Sequence, residues 1–297
     1  MHCLKSKYAL RNFILVCLST WIRFDAAAQQ FEQFSHRGGR GLMPENTIIA
    51  MENALDFGTG LEMDLYLSKD NQVFVYHDDI ISPTYATNPD GTLVTREQAA
   101  KRKIIDYTYP ELKSFNIGIR SNPEFPRKKN INATIPLFEE LIDSVELYAK
   151  KGDLKKPSYS VEIKVPEAAL PSMYKQRLVD AAIKIIRGKN IGDRVIIQSF
   201  DREALEYLHQ KYPTMKTAYL VFIGQDDFHN NLKKLSFKPT AYSPFYKLVT
   251  PDMISYCHTN NIQVVVWTVN TREDIGHLKQ MGVDAVISDY PDYFLSK

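Results

Sequence analysis

The sequence predicts a (β/α)8 barrel of the TIM type, somewhat irregular, with a loop-rich insertion after His77, and two observations carry that prediction. From Pro136 to the end of the chain, short β-rich apolar runs alternate with helix-patterned segments, the signature of a parallel sheet with helices outside it. Residues suited to chemistry recur at the carboxyl ends of those runs, in both halves of the sequence. A closed barrel brings such ends together on one face, whereas an open doubly wound sheet spreads them out.

Taken in order, residues 1–28 read as an export signal: basic Lys5, Lys7 and Arg11, an apolar run over 13–22, and Ala26-Ala27-Ala28 as a small-residue cleavage site. The apolar run is too short to cross a bilayer as a helix, which needs about 20 residues, so no stable membrane span is expected. Polar Arg23 and Asp25 near the cleavage site leave an uncleaved interfacial anchor as the alternative. The remainder, 29–297, is expected to be a single catalytic barrel domain, periplasmic or secreted.

After the leader, 31–35 is a short strand ending at His36, and 47–57 is a helix with Ile48, Met51, Ala54 and Leu55 at helical spacing, stopped by Gly58. Strands follow at 61–67 and 72–76, parted by the turn-like Ser68-Lys69-Asp70-Asn71. That link is too short for a helical crossover, so the pair is either a hairpin or two strands joined by an extended return. Prolines 83, 89, 110, 123 and 126 break the rhythm over 78–135, which reads as an insertion with short helices near 95–102 and 109–115. Placed just after His77, it is either a wall of the site or a surface excursion. Helices then fall at 137–150, 172–188, 201–211, 226–235, 250–260 and 271–281, between strands at 158–163, 194–198, 216–222, 240–242, 262–267 and 284–287. The strand candidates outnumber the eight places of a barrel, so the 61–67 and 72–76 pair is where departure from the ideal plan is expected.

The whole chain carries a net charge of +2, but the leader takes Lys5, Lys7, Arg11 and Arg23 with it against Asp25 alone, which leaves the mature chain at −1. A general nucleic-acid or anionic-membrane surface is not implied. Cys3 and Cys17 also leave with the leader, so Cys257 has no disulfide partner within the chain and the fold must rest on its core.

Glu62 and Asp64 stand two apart on a strand and therefore share a face, which Glu162 on a later strand can join. Three converging carboxylates are costly without a cation and suit a hard divalent ion, Ca2+ or Mg2+. An isolated Glu-x-Asp pair also reads as the wet side of a half-buried strand, but the flanking Leu61, Met63 and Leu65 leave the barrel interior to the acids. His36 and His77 each follow a strand, giving two imidazoles near neutral pH, one to take a proton and one to supply it. Arg37 offers a planar fork to phosphate oxygens, and Lys164 a point charge on the face of Glu162. Gln198 and Trp267 end later strands and are candidate substrate contacts, with barrel packing as the competing role for Trp267. His209, His229, His258 and His277 lie away from strand ends and receive no function.

The run His36-Arg37-Gly38-x-x-Gly41-x-x-Pro44-Glu45-Asn46-Thr47, then Glu62-x-Asp64, then His77-Asp78, resembles the glycerophosphodiester phosphodiesterase family in order and spacing. Glu162-Ile163-Lys164, Gln198-Ser199-Phe200-Asp201, Trp267-Thr268-Val269-Asn270 and Ser288-Asp289-Tyr290-Pro291 carry the similarity through Pro291. The resemblance implies metal-dependent hydrolysis of a small glycerophosphodiester to sn-glycerol 3-phosphate and an alcohol such as choline or ethanolamine. It implies a route in which the neighbouring glycerol hydroxyl attacks phosphorus first and water then opens a cyclic phosphate. It adds Glu45 as a residue close to the site that either supports the residues lining it or handles protons. One departure stands out: after His-Asp the family commonly has an Arg-Thr element, and this chain reads Ile80-Ile81-Ser82-Pro83-Thr84-Tyr85, which leaves the leaving alcohol open. Two other readings compete. A related barrel phospholipase acting on intact phosphatidylinositol or sphingomyelin would want an apolar or aromatic rim, for which the insertion's Tyr107, Tyr109, Phe115 and Phe125 are too scattered to decide. A non-catalytic phosphodiester-binding protein would not need both histidines and all three acids.

Overall fold

Strand β1 (Glu32–Ser35) runs into a single 3-10 turn, His36–Gly38, and the chain returns through helix α1 (Ile48–Asp56), whose cap Thr47 accepts the N–H of Ala50 on its side chain. The computed structural model describes residues 31–166 and 172–295, so the expected export signal at 1–28 lies outside the described residues. Next come β2 (Gly60–Leu67) and β3 (Val73–Val75), an antiparallel hairpin with Leu65 opposite Val75 and Leu67 opposite Val73. Of the two arrangements open to this pair the hairpin forms because the link closes on itself. The Ser68 N–H reaches the Gln72 carbonyl at 2.9 Å, and Asn71 supplies the left-handed residue at φ 61°.

Within 78–135 lie the short helices α2 (Arg96–Ala100) and α3 (Tyr109–Lys113). A reciprocal Thr95–Gln98 capping box starts α2. The alternation then runs α4 (Phe138–Lys151), β4 (Tyr159–Ile163), α5 (Ser172–Gly188), β5 (Val195–Ser199), α6 (Arg202–Lys211) and β6 (Lys216–Val221). It ends with α7 (Phe228–Lys233), β7 (Ala241–Pro244), α8 (Pro251–Thr259), β8 (Gln263–Val266), α9 (Arg272–Met281) and β9 (Ala285–Ser288). All of these strands except β3 pair in parallel, in the order β1-β2-β4-β5-β6-β7-β8-β9, and β9 returns to β1 with Gln33 opposite Val286. The ring is a closed eight-stranded parallel barrel with helices outside, and β3 is the extra strand hung on its rim. Among the described residues no helix is long and apolar enough to cross a membrane.

The two faces of β2 explain its composition. Leu61, Met63 and Leu65 point outward into a core shared with Met51, Leu141 and Leu178 of α1, α4 and α5, while Glu62 and Asp64, also buried, point inward. Phe34, Ala218, Ala241, Val265, Ala285 and Ile287 fill the lumen beneath them, so the acids sit on an apolar floor. Residues of 78–135 pack Ile81, Tyr85, Ile104, Leu112 and Ile117 against Tyr66, Phe74 and Tyr76 of the hairpin. The hairpin therefore anchors this stretch beside the barrel mouth.

Candidate active site

The turn after β1 is held in a conformation that side chains avoid. Arg37 sits at φ 51° and Asn46 at φ 55°, and each is pinned by the acids: the Arg37 N–H donates to Glu62 Oε2 at 2.8 Å, and Asn46 Nδ2 donates to Asp64 Oδ2 at 2.8 Å. Left-handed non-glycine residues cost about 1–3 kcal/mol each and persist where their surroundings over-determine them. Gly38 and Gly39, at φ 78° and 87°, have no room for a side chain, since a Cβ would come within 2.8 Å of Ala50 and of Pro291 respectively.

Register does the rest of the assembly. Asp64 pairs with Glu162 and Glu162 with Gln198 across three parallel strands, so their side chains share one inward row. Glu62, Asp64 and Glu162 each offer a carboxylate oxygen within 4.8 Å of the others. Burial, together with Asp64 and Glu162, pushes Glu62 well above the usual carboxylate range, against the Arg37 N–H that favours its charge. Burial also raises Glu162, opposed by Lys164 at 3.2 Å. For Asp64 the same burial is outweighed by His77, Arg37 and Lys164, and it stays below its ordinary range. Burial would lower Arg37, but Glu45 and Asp64 outweigh it and lock the guanidinium charged. Its Nη1 donates to Glu45 Oε1 at 2.8 Å, and its Nε lies 3.5 Å from Asp64. Gln198 Nε2 donates to Glu62 Oε1 at 2.9 Å. Beside these acids Asn46 Oδ1 and Gln198 Oε1 are buried with no donor among the described residues. An excess of buried oxygen acceptors over donors, three of them carboxylates, fits a hard divalent cation.

The imidazoles come in matching pairs with acids. His36 Nδ1 donates to Asp289 Oδ1 at 2.6 Å and His77 Nδ1 to Asp78 Oδ1 at 2.8 Å, which leaves both Nε2 atoms for the pocket. His36 Nε2 lies 4.0 Å from Glu62. Burial, with Arg37 and Arg40 nearby, lowers His36 to about 4 despite Asp289. Asp289 is held below the carboxylate range: burial would raise it, but His36 and Arg40 outweigh burial. It takes three donors, since Arg40 Nε at 2.7 Å and Asn270 Nδ2 at 2.6 Å join His36. On the other side Tyr85 donates to Asp78 Oδ2 at 3.2 Å and lies 3.5 Å from Glu45 Oε1, so a residue of 78–135 bridges the two arms of the site.

One pocket at the carboxyl ends of the strands is lined by His36, Arg37, Glu62, His77, Glu162, Gln198 and Trp267. Glu45, Asp64 and Lys164 touch these residues from behind or beside. All the sequence-selected residues thus lie at one mouth. Asp289, Asp78, Asn46, Asn270, Arg40 and Tyr85 join them without having been selected. For Asp78 and Asp289 the signal was adjacency to a histidine and membership of the Ser-Asp-Tyr-Pro segment; Tyr85 and Arg40 gave none.

The glycerophosphoryl diester phosphodiesterase family matches residues 36–293. The chain belongs to that family. It is accordingly an enzyme, a phosphoric diester hydrolase. A glycerophosphodiester phosphodiesterase of Bacillus altitudinis is 32% identical over 265 residues, covering 87% of this chain and 94% of its own. One of Caldanaerobacter subterraneus subsp. tengcongensis is 29% identical over 266 residues, covering 88% and 95%. Among solved structures, one from Silicibacter pomeroyi superposes with a TM-score of 0.81 at 25% identity over 89% of this chain and 92% of its own. The Oleispira antarctica phosphodiesterase in complex with its product sn-glycerol-3-phosphate shares the fold at a TM-score of 0.69 and 23% identity, covering 88% and 93%.

Proposed function

We propose that this family member is exported and hydrolyses small glycerophosphodiesters to sn-glycerol 3-phosphate and an alcohol. In this reading Glu62, Asp64 and Glu162 hold a divalent cation, Ca2+ or Mg2+, and His36 and His77 move the protons. The observation that carries it is the pair of imidazoles, each fixed at Nδ1 by an aspartate and turned by Nε2 into the pocket that holds the acids. When bound, the cation supplies positive charge that offsets the carboxylates and draws in phosphate oxygens. Lys164, 3.2 Å from Glu162, adds a point charge there. Arg37 Nη1 is taken by Glu45, its buried Nε lies 3.5 Å from Asp64 without a hydrogen bond, and Nη2, which makes no hydrogen bond among the described residues, is left for phosphate. In the first step one imidazole takes the proton of the glycerol hydroxyl that attacks phosphorus and the other gives a proton to the departing alcohol. Water reverses the roles in the second. Glu45 keeps Arg37 in place, and Gln198 and Trp267 meet the substrate on the far wall.

A turnover panel tests the reading: glycerophosphocholine, glycerophosphoethanolamine, glycerophosphoinositol and an intact phospholipid, each with Ca2+ and with Mg2+. Hydrolysis of at least one deacylated substrate in preference to the intact phospholipid is expected. No turnover of any of them, or a preference for intact lipid, would reject it. Asp289→Ala should lower kcat about ten- to hundredfold with little change in KM, because it frees the His36 ring rather than removing a substrate contact. Steady-state kinetics decide, and an unchanged kcat would strip Asp289 of its part.

Export has its own check. Cys257 is fully buried, and burial pushes its thiol up to about 11, so the native protein should not react with a thiol reagent. In denaturant the processed protein should show a single thiol per chain, since Cys3 and Cys17 precede the cleavage site. Titration of all three cysteines would mean that the leader stays on.

A further inference from the structure

We propose, resting on that reading, that Arg40 binds an anion on the alcohol side of the site, so that the preferred substrates are glycerophosphodiesters whose departing alcohol carries a carboxylate or a phosphate. Arg40 lines the pocket together with His36, Glu62 and His77. Its guanidinium is fixed from two directions. Nε donates to Asp289 Oδ1 at 2.7 Å, and the group lies over the Phe125 ring with Cζ 4.7 Å from the centroid. Phe125 is itself buried, in a stretch tied to the same turn by the Lys129 N–H, which donates to the Leu42 carbonyl at 2.9 Å. Nη1 and Nη2 have no partner among the described residues, and the side chain keeps 18% of its surface exposed. The result is a pre-oriented fork with its donors free.

The other cations of the site are already matched. Arg37 faces Glu45 and Asp64, and Lys164 faces Glu162 and Asp64. Arg40 has Asp289 alone and reaches it through Nε, which leaves the forked end unspent. Lys128 adds positive charge to this edge: its Nζ donates to the carbonyls of Gly118 and Lys129 and to Asn130 Oδ1, with no carboxylate bonded to it among the described residues. A planar pair of N–H groups grips a carboxylate or phosphate by two parallel bonds, each about twice as strong as a bond to a neutral group. The glycerol arm of the substrate carries only hydroxyls, and the phosphodiester itself has Arg37 and Lys164. An anion for Arg40 therefore has to come with the departing alcohol. Arg40 and His36 share Asp289 Oδ1, which places that anion on the His36 side of the mouth. The alcohol left open by the sequence after His77-Asp78 thus acquires a chemical class.

The test compares kcat/KM in two pairs of substrates that differ by one anion: glycerophosphoserine against glycerophosphoethanolamine, and the 2-phosphoethyl against the 2-hydroxyethyl ester of sn-glycerol 3-phosphate. Wild type should favour the anionic member of at least one pair by about tenfold, and the pair that responds tells carboxylate from phosphate. In Arg40→Gln, which keeps a donor toward Asp289 but loses the charge and the fork, that ratio should fall to about one. Ratios within one protein cancel any loss of turnover that arises through Asp289 and His36. Should Arg40→Gln fail to fold, Arg40→Lys, which keeps the charge without the fork, should cut the ratio at least about threefold, and an unchanged ratio there would overturn the inference. A wild-type ratio at or below one in both pairs overturns it as well, and leaves the parent reading intact if glycerophosphoethanolamine is cleaved. So does a preference that survives in Arg40→Gln with both members slowed alike, which would confine Arg40 to holding Asp289. Absence of turnover on all four substrates overturns both.

Discussion

His36→Ala should lower kcat by about 10²–10⁴-fold, the range a positioned general acid or base supplies, with KM changed far less. The structure separates this loss from damage to the fold. Removing the ring takes one donor from Asp289, but Arg40 Nε at 2.7 Å and Asn270 Nδ2 at 2.6 Å remain, so that buried carboxylate is not orphaned. The melting temperature should therefore stay close to wild type, and stabilisation by sn-glycerol 3-phosphate should largely survive, because the acids, Arg37 and Lys164 are untouched. Steady-state kinetics and thermal shift on one preparation decide the matter. Unchanged turnover would take His36 out of the mechanism; collapsed turnover with lost product binding would make it a binding residue instead.

Much of this site was legible in the sequence because the chemistry is local to strand ends. Glu62 and Asp64 share a face through the two-residue period of a strand, and the barrel order then sets Asp64 opposite Glu162. What was not legible depends on closure of the ring. Asp289 lies 253 residues from His36 and reaches it only because β9 returns to pair with β1. The ring contacts at the strand ends are similar: Phe222 and Phe245 follow ordinary strands, and only neighbouring places in the barrel bring both rings onto Trp267. In the sequence Tyr107, Tyr109, Phe115 and Phe125 of 78–135 are too scattered to decide whether they form an aromatic rim. In the structure Tyr109 is buried in the cluster on the hairpin, Tyr107 and Phe115 pack against it, and Phe125 lies under the Arg40 guanidinium at 4.7 Å. Tyr85 escaped notice because nothing in Ser82-Pro83-Thr84-Tyr85 announces that its hydroxyl will come between Asp78 and Glu45.

Glu62→Gln should abolish turnover and at the same time make the cation-free protein no less stable, and the two effects have one cause. Of the three acids Glu62 is the one with no lysine or arginine side chain bonded to it: its oxygens accept the Arg37 N–H at 2.8 Å and Gln198 Nε2 at 2.9 Å. Asp64 and Glu162 by contrast face Arg37 or Lys164. Without a cation a buried, crowded Glu62 carboxylate is a liability, as its upward pKa shift through burial and Asp64 records. The amide keeps the shape and drops the charge. Its oxygen still accepts from Arg37, and if Gln198 turns its amide over, the Oε1 that now lacks a donor can accept from the new side chain. Relief of the repulsion should hold or raise the melting temperature of chelated protein, at about 2–4 °C for each kcal/mol in a chain of this size. The gain on adding Ca2+ or Mg2+ should vanish, whereas wild type should rise by the binding free energy, about 2.7 kcal/mol at a hundredfold excess over Kd. Thermal melts of both proteins in EDTA and in each cation, with turnover measured alongside, give the answer. A wild type that is fully active and thermally unmoved in EDTA, or a Glu62→Gln variant that still gains from the cation, would dissolve the assignment of these acids to a metal.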